Sequence, residues 1–279
     1  GLNISVVTSV LIDGEEFNNF SSRNGYLTLN DAPGGDHVYT LMFGSIGYRV
    51  NGCVYANGIS TVAELEAWRT TQVVAYTVLL KDIDGQAQTL ATTDVWHEGI
   101  LDGLGHTISN FKMTSSFVHA INGSGAIKNI QLVNFTQDCS AMNWDNKFGV
   151  VCTENNGGTI ENVLLKGSLV NVPAGDHYGL ISSTAGNNSV MRNVFAELTS
   201  TGSGNHYTGP WWKADSYTIS NVAIVFNASA YNADYTEDQV RTYGSMSDFA
   251  ANVDLSKWEG WTLKDGRFYM TEYQVSTER

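Results

Sequence analysis

The apolar positions of this chain fall into short alternating runs, and one run recurs. The pattern apolar–x–Asn–apolar–x–apolar stands at Ile108–Met113, Ile127–Leu132, Ile160–Leu165, Met191–Ala196 and Ile219–Ile224. Its asparagines, Asn110, Asn129, Asn162, Asn193 and Asn221, are 19, 33, 31 and 28 residues apart. A second signal precedes the later copies: Phe148-Gly149-Val150-Val151, Tyr178-Gly179-Leu180-Ile181 and a weaker Tyr207-Thr208-Gly209, spaced by 30 and 29 residues. Self-similarity at this period marks a repeat architecture whose single unit cannot bury its apolar face alone. The runs are rich in Val, Ile, Phe and Tyr and are separated by Gly, Asn and Ser, which predicts strands joined by turns.

Repeated strands of one polarity, one per turn of chain, stack in parallel. The expected fold is therefore all-β, a right-handed parallel β-helix over about 76–228 with coils about 4.8 Å apart. Ile108, Ile127, Ile160, Met191 and Ile219 are expected to form one inward column. The five asparagines are expected to form a second column at a corner, because Asn tolerates left-handed backbone angles and its carboxamide can bond from coil to coil.

Two stretches resemble known sequences. Asp102-Gly103-Leu104-Gly105-His106-Thr107-Ile108-Ser109-Asn110-Phe111 is similar to a rung of pectate-lyase-like β-helices, and Tyr76 to Asp84 is similar to the first strand of that family. The aromatic–Gly–apolar–apolar and Gly-x-Ile-x-Asn-Val units resemble the GLUG repeats of bacterial surface proteins, with similar domains in adhesins and phage tail proteins. The resemblance covers roughly residues 60–230 and implies the β-helix fold. It says little about activity, because its signatures are turn and core residues.

Outside the repeat, residues 1–58 read as a small antiparallel β unit for attachment or assembly, with turns at Asp13-Gly14, Asn24-Gly25, Pro33-Gly34-Gly35 and Asn51-Gly52. Residues 59–70 hold a helix opened by Thr61 and Glu64 in a capping box, with Leu65 and Trp68 on one face, placed to cover the first edge of a capped β-helix over 59–228. Residues 229–279 lose the period. A helical turn at 247–252 and a hairpin through Lys264-Asp265-Gly266-Arg267 predict a C-terminal cap.

Composition narrows the function classes. The net charge of −13 argues against nucleic-acid binding, which needs clustered Lys and Arg. No apolar stretch is long enough for a membrane-spanning helix. The three cysteines, Cys53, Cys139 and Cys152, form no metal-spaced motif, and Cys139 and Cys152 are near enough in sequence to pair. Calcium is compatible with the acidic balance, but no motif supports it, and no cofactor or metal ligand set is expected.

Candidate chemistry is sparse. Asp102 with His106 suggests an acid–base pair, and Asp82 with Asp84 suggests two carboxylates for calcium or glycoside hydrolysis; the resemblance makes all four turn and cap residues. Lys112, Lys128, Lys166 and Arg192 lie beside the Asn corners without acidic partners at matching positions. Gly-Asp-His occurs at 35–37 and 175–177 and reads as turn chemistry. The longest expected loop, 201–216, gathers His206, Tyr207, Trp211 and Trp212 as a candidate glycan-binding site. Adjacent tryptophans cannot both point into a strand's core.

The expectation is a non-enzymatic structural or binding protein of a virion (tail fibre or capsid-associated) or bacterial surface, a rigid rod displaying loops. Its partners would be other subunits of a fibre, capsid or cell surface, or a glycan, in an extracellular, cell-surface or virion setting. A polysaccharide lyase or glycoside hydrolase on the same scaffold is the alternative.

Overall fold

The computed structural model describes residues 6–270, other than 24–25, 31, 142–148, 174–176, 202–205, 229, 232–235 and 237. The chain divides between residues 57 and 58 into two compact units. In the first, antiparallel strands lie in the order Glu15–Phe17, Ser9–Ile12, Gly35–Phe43 and Ile46–Val54, beside a separate hairpin of Phe20–Arg23 and Tyr26–Leu29. Val10, Ile12 and Tyr39 are buried there. The Asp13 carboxylate in the first turn accepts from Val38 N at 2.8 Å and meets His37 Nδ1 at 2.7 Å. These bonds, the His37 contact foremost, hold its pKa below the ordinary carboxylate value. The Gly-Asp-His at 35–37 thus begins a strand; residues 175–176 of the second copy lie outside the described residues.

The second unit is a right-handed parallel β-solenoid of about 5 turns. Its long sheet stacks Ile100–Asp102, Ala126–Asp138, Thr159–Val170, Ser189–Ser200 and Tyr217–Phe226 in parallel, and Val240–Tyr243 closes the sheet at its last edge. A second sheet stacks Trp96–His97, Val118–Asn122, Cys152–Asn156, Ser182–Gly186 and Trp211–Ala214. The interior between them is a continuous apolar core. One inward column runs Leu101, Ile127, Ile160, Met191, Ile219; the next runs Ile130, Val163, Val194, Val222, Val240.

Ile108 departs from the expected column. It pairs with Leu132 on one side and Ile83 on the other, so the 108–113 copy belongs to a different position on the coil from the 127–132 copy. The reason is length. The coils advance by 26, 33, 31 and 28 residues (Ile100↔Ala126, Ala126↔Thr159, Thr159↔Val190, Val190↔Thr218), whereas Asn110 and Asn129 are 19 residues apart, too few to go once round.

The helix α1 (Val62–Arg69) covers the first coil. Thr61 caps it by accepting from Glu64 N at 3.2 Å, and Glu64 reaches back to Ser60 N at 2.8 Å. Leu65 and Trp68 are buried, and the Trp68 ring stacks on His97 with centroids 4.4 Å apart. Arg69 is fully buried: Nε donates to Phe117 O at 2.6 Å, Nη2 to Ala91 O at 3.1 Å, and Nη1 pairs with Glu66 at 2.6 Å. The Glu66 carboxylate also accepts from Ala91 N at 2.8 Å, which ties the helix to the chain entering the coil. A buried guanidinium persists only when so satisfied.

The C-terminal segment differs from the expected end cap. After Val240–Tyr243, helix α2 (Met246–Asn252) and the hairpin Trp261–Lys264/Arg267–Met270 lie along the outer face of the long sheet. Leu164, Phe195, Ala223 and Val225, outward residues of successive coils, are buried there beneath Phe249, Trp258, Trp261, Phe268 and Met270. The Phe268 ring lies about 5 Å from those of Phe195, Phe249, Trp258 and Trp261. Bulky apolar residues facing outward on three adjacent coils require such a cover.

Ile160 is wholly inside, between Ile127 and Met191. Ile160→Ala is expected to lower unfolding free energy by about 2–5 kcal/mol. Urea denaturation checks this, and a loss below about 1 kcal/mol would contradict an inward side chain.

Candidate functional site

The recurrent asparagines build two columns, not one. Asn129, Asn162, Asn193 and Asn221 all have positive φ, between 50° and 53°, at the same corner of successive coils. Each Nδ2 donates to the carboxamide oxygen of the preceding coil: Asn162 to Asn129 at 2.9 Å, Asn193 to Asn162 at 3.0 Å and Asn221 to Asn193 at 2.8 Å. The column begins at Asp102, whose Oδ1 accepts from Asn129 Nδ2 at 3.0 Å and from Leu104 N at 2.9 Å. Its Oδ2 accepts from Tyr76 Oη at 2.6 Å and meets Lys128 Nζ at 3.3 Å. The carboxylate is fully buried, so these donors are what let it sit there. At the other end Asn221 Nδ2 also donates to Lys257 O at 2.8 Å, in the covering segment.

The second column is shorter. Asn134 Nδ2 donates to Asn110 Oδ1, and Asn110 Nδ2 donates to Asp84 Oδ1 at 3.0 Å. Gln86 N also donates to that oxygen at 2.9 Å, and these two bonds, the Gln86 contact foremost, lower the Asp84 pKa. The column stops at Asn134 because that residue is an extra one in its strand: Val133 pairs with Lys166 and Phe135 with Gly167, with nothing opposite Asn134. The Phe135 ring then lies over Gly167, where a Cβ would fall 2.7 Å from it, and stacks on Phe111 at 5.7 Å.

The candidate catalytic residues are thereby consumed by structure. Asp102 bonds the ladder and not His106, whose Nδ1 lies 3.1 Å from Asp82 Oδ1. Asp82 also accepts from Thr107 N at 2.9 Å. The basic residues beside the corners are not without acidic partners, as the one-dimensional reading held. Pairing across coils places Asp102, Lys128, Glu161 and Arg192 in one column of alternating charge. Arg192 forks onto Glu161 at 2.6 and 2.9 Å, and Lys166 pairs with Glu197 at 2.7 Å. Their partners are 31 residues away in sequence, one coil along, and only the correct coil length brings them together. Lys112 stands on a separate strand that pairs with Thr136 and Gln137.

The described part of 201–216 carries rung strands and is not a free loop. His206–Thr208 pairs in parallel with His177–Gly179, and Trp211–Ala214 pairs with Ser182–Gly186. Gly209 O and Pro210 O accept from Leu180 N and Ser182 N at 3.0 Å each, so the Gly-Pro pair is a coil corner. Trp211 is 2% exposed and meets Tyr217 edge-on at 4.9 Å; its ring belongs to the core and offers no face to a sugar. The side chains of His206, Tyr207 and Trp212 lie outside the described residues. Cys139 and Cys152 are buried free thiols, each pushed up to about 12 by burial, and do not pair with one another. Among the described residues no group of three or more His, Cys, Asp or Glu is placed to hold a metal.

The surface feature that sequence reasoning missed is on the flank. Where the covering hairpin ends, a groove of about 880 Å³ opens between it and the coils, lined by Gln131, Val133, Leu164 and Lys166 on one side and Lys264, Asp265, Arg267, Phe268 and Tyr269 on the other. The signal for it was in the repeat itself: Val163-Leu164-Leu165, Val194-Phe195-Ala196 and Val222 to Phe226 are unbroken apolar runs, the mark of strands buried on both faces. Comparison with protein-family models, curated proteins and solved structures finds no match to this chain.

Two outcomes are expected. Asn162→Gly removes the ladder bonds but keeps the left-handed corner, whereas Asn162→Ala loses both, so Ala is expected to be the more destabilising by about 1 kcal/mol. Equal losses in chemical denaturation would show that the corner makes no backbone demand. Burial, opposed by the Arg69 carbonyl contact, holds His97 below its ordinary pKa of 6.5. Its neutral form is the folded one, so its contribution is full above pH 6.5 and declines as pH falls from there through the lower folded value. Thermal unfolding of wild type is expected to become more acid-sensitive over that window than that of His97→Gln; parallel pH profiles would contradict a buried neutral imidazole.

Proposed function

We propose that this protein is a non-enzymatic structural and binding protein, a rigid β-solenoid that carries recognition surfaces for a partner or a glycan. The observation that carries the reading is the engagement of the acids and bases that the sequence offered as candidates. Asp102, Asp84, Asp82, His106, Lys128, Lys166 and Arg192 are bonded to neighbouring coils. A general acid or base must keep a proton-transfer atom within reach of a substrate. These groups spend theirs on register.

The setting proposed is a virion fibre, a capsid-associated position or a bacterial surface, hence an extracellular, cell-surface or virion location. The likeness of the 102–111 rung to pectate-lyase-like β-helices, and of the repeat units to GLUG repeats, supports it at the level of sequence pattern. The antiparallel first unit is proposed as the attachment module that joins the rod to other subunits, since it folds on its own set of strands outside the repeat.

The competing reading is a polysaccharide-cleaving enzyme on the same scaffold. Incubation with a panel of acidic and neutral polysaccharides, followed by chain length and new reducing ends, separates the two. No cleavage is expected with any of them. Turnover that Asp102→Asn or Asp84→Asn abolishes, with the fold intact by circular dichroism, would overturn the proposal.

A further inference from the structure

The groove on the flank gathers positive charge. The chain carries a net charge of −13, yet Lys166, Lys264 and Arg267 converge on this concavity, with Asp265 the one acid among the described residues of its lining. Lys166 is engaged with Glu197. Lys264 and Arg267 are exposed and carry no ion pair among the described residues. They face each other across the hairpin turn, where Asp265 and Gly266 adopt positive φ of 52° and 70°, so the turn fixes the two backbone positions that carry the cations. The turn is anchored from beneath, because Phe268, the residue after Arg267, is buried in the aromatic cluster of the cover.

The other lining groups add shape. Alternation along Arg267–Met270 turns Phe268 and Met270 to the core and leaves Tyr269 36% exposed at the groove wall, beside the apolar Leu164 and Val133 of the coils. Cations fixed at a rigid turn, an accessible aromatic face and a partly apolar floor suit a planar carboxylate on a ring. The guanidinium of Arg267 presents the paired donors that a carboxylate accepts, and a tyrosine face stacks on the C–H side of a sugar.

We infer that this groove binds acidic saccharides, with Lys264 and Arg267 holding the uronate carboxylate and Tyr269 stacking on the sugar ring. The inference rests on the proposed binding role of the protein and assigns that role to the flank of the solenoid and not to the 201–216 segment. An acidic peptide has carboxylates but no ring to stack, so the aromatic wall favours the sugar.

Titration calorimetry of the full chain with a hyaluronan hexasaccharide tests it, with maltohexaose as the neutral control and a hexaglutamate peptide as the acidic non-sugar. Binding of hyaluronan alone is expected, weakening as salt rises. Each of Lys264→Ala and Arg267→Ala is expected to weaken it about tenfold, the loss of one charge-assisted bond. Tyr269→Ala should weaken it with the salt dependence unchanged, while Lys112→Ala, a cation outside the groove, should leave it as it was. No binding of hyaluronan, equal binding of hexaglutamate or of maltohexaose, or full affinity in the Lys264→Ala/Arg267→Ala double variant would overturn the assignment. Product analysis of the same mixtures keeps the two proposals apart: a shortened hexasaccharide counts against the non-enzymatic reading, and unchanged affinity in the double variant counts against the groove.

Discussion

Every coil of this solenoid must return to the same corner, and a left-handed asparagine fixes that corner. At Asn129, Asn162, Asn193 and Asn221 the backbone turns through positive φ, while each side chain bonds the coil before it. The two demands select one residue type. Glycine accepts the angle but has no carboxamide, and other side chains with donors resist the angle. With the corner fixed, the flanking strands are in register, the inward residues stack like on like, and the charges of Asp102, Lys128, Glu161 and Arg192 alternate from coil to coil. Both columns begin at a carboxylate, Asp102 or Asp84, which accepts from the first Asn and offers no donor back. An acid that only accepts is a fitting first member for a chain of bonds that all point one way.

The ends and flank of the rod follow from what stacking leaves open. The first edge is covered by α1, held through buried Arg69 and the Trp68–His97 stack. The outer face of the long sheet turns apolar over three coils and is closed by the C-terminal helix and hairpin. The cover stops where that apolar run stops. Outward positions change from Leu164 and Phe195 to Gln131 along one column, and from Val225 to Glu197 and Lys166 along the next. The flank groove lies at this boundary, between a packed aromatic layer and a polar one.

Much of this was legible from the sequence. Period, strand character, parallel stacking, the helix opened by Thr61 and the Lys264–Arg267 hairpin turn all follow from residue types at fixed spacing, and they are what the structure contains. The register of the first copy was not, because the apolar–x–Asn pattern marks any left-handed corner, and one coil has two. Nor were the ion pairs, which join residues a coil apart and need the coil length before they can be drawn. The 201–216 segment was expected as the longest loop even though Tyr207-Thr208-Gly209 keeps the period of the rung signal, and its described part carries strands that pair through Tyr178 and Tyr207. Trp211 took the buried position there, in register with Ser182 and Cys152 of the coils before it and edge-on to Tyr217. The cover was visible as consecutive apolar residues after each Asn, a pattern that an end cap does not explain.

The central claim is that the carboxamides of one corner are bonded in series from coil to coil. Side-chain hydrogen exchange, read by NMR on the Nδ2 protons, tests it most directly. Protons of Asn129, Asn162, Asn193 and Asn221 should exchange far more slowly than those of an exposed asparagine such as Asn18, and replacing Asn162 by Gly should strip the protection from Asn193, which donates to it, while Asn129 keeps its bond to Asp102. Exchange of all four at the rate of Asn18 in the intact protein would contradict the ladder and, with it, the register of the coils.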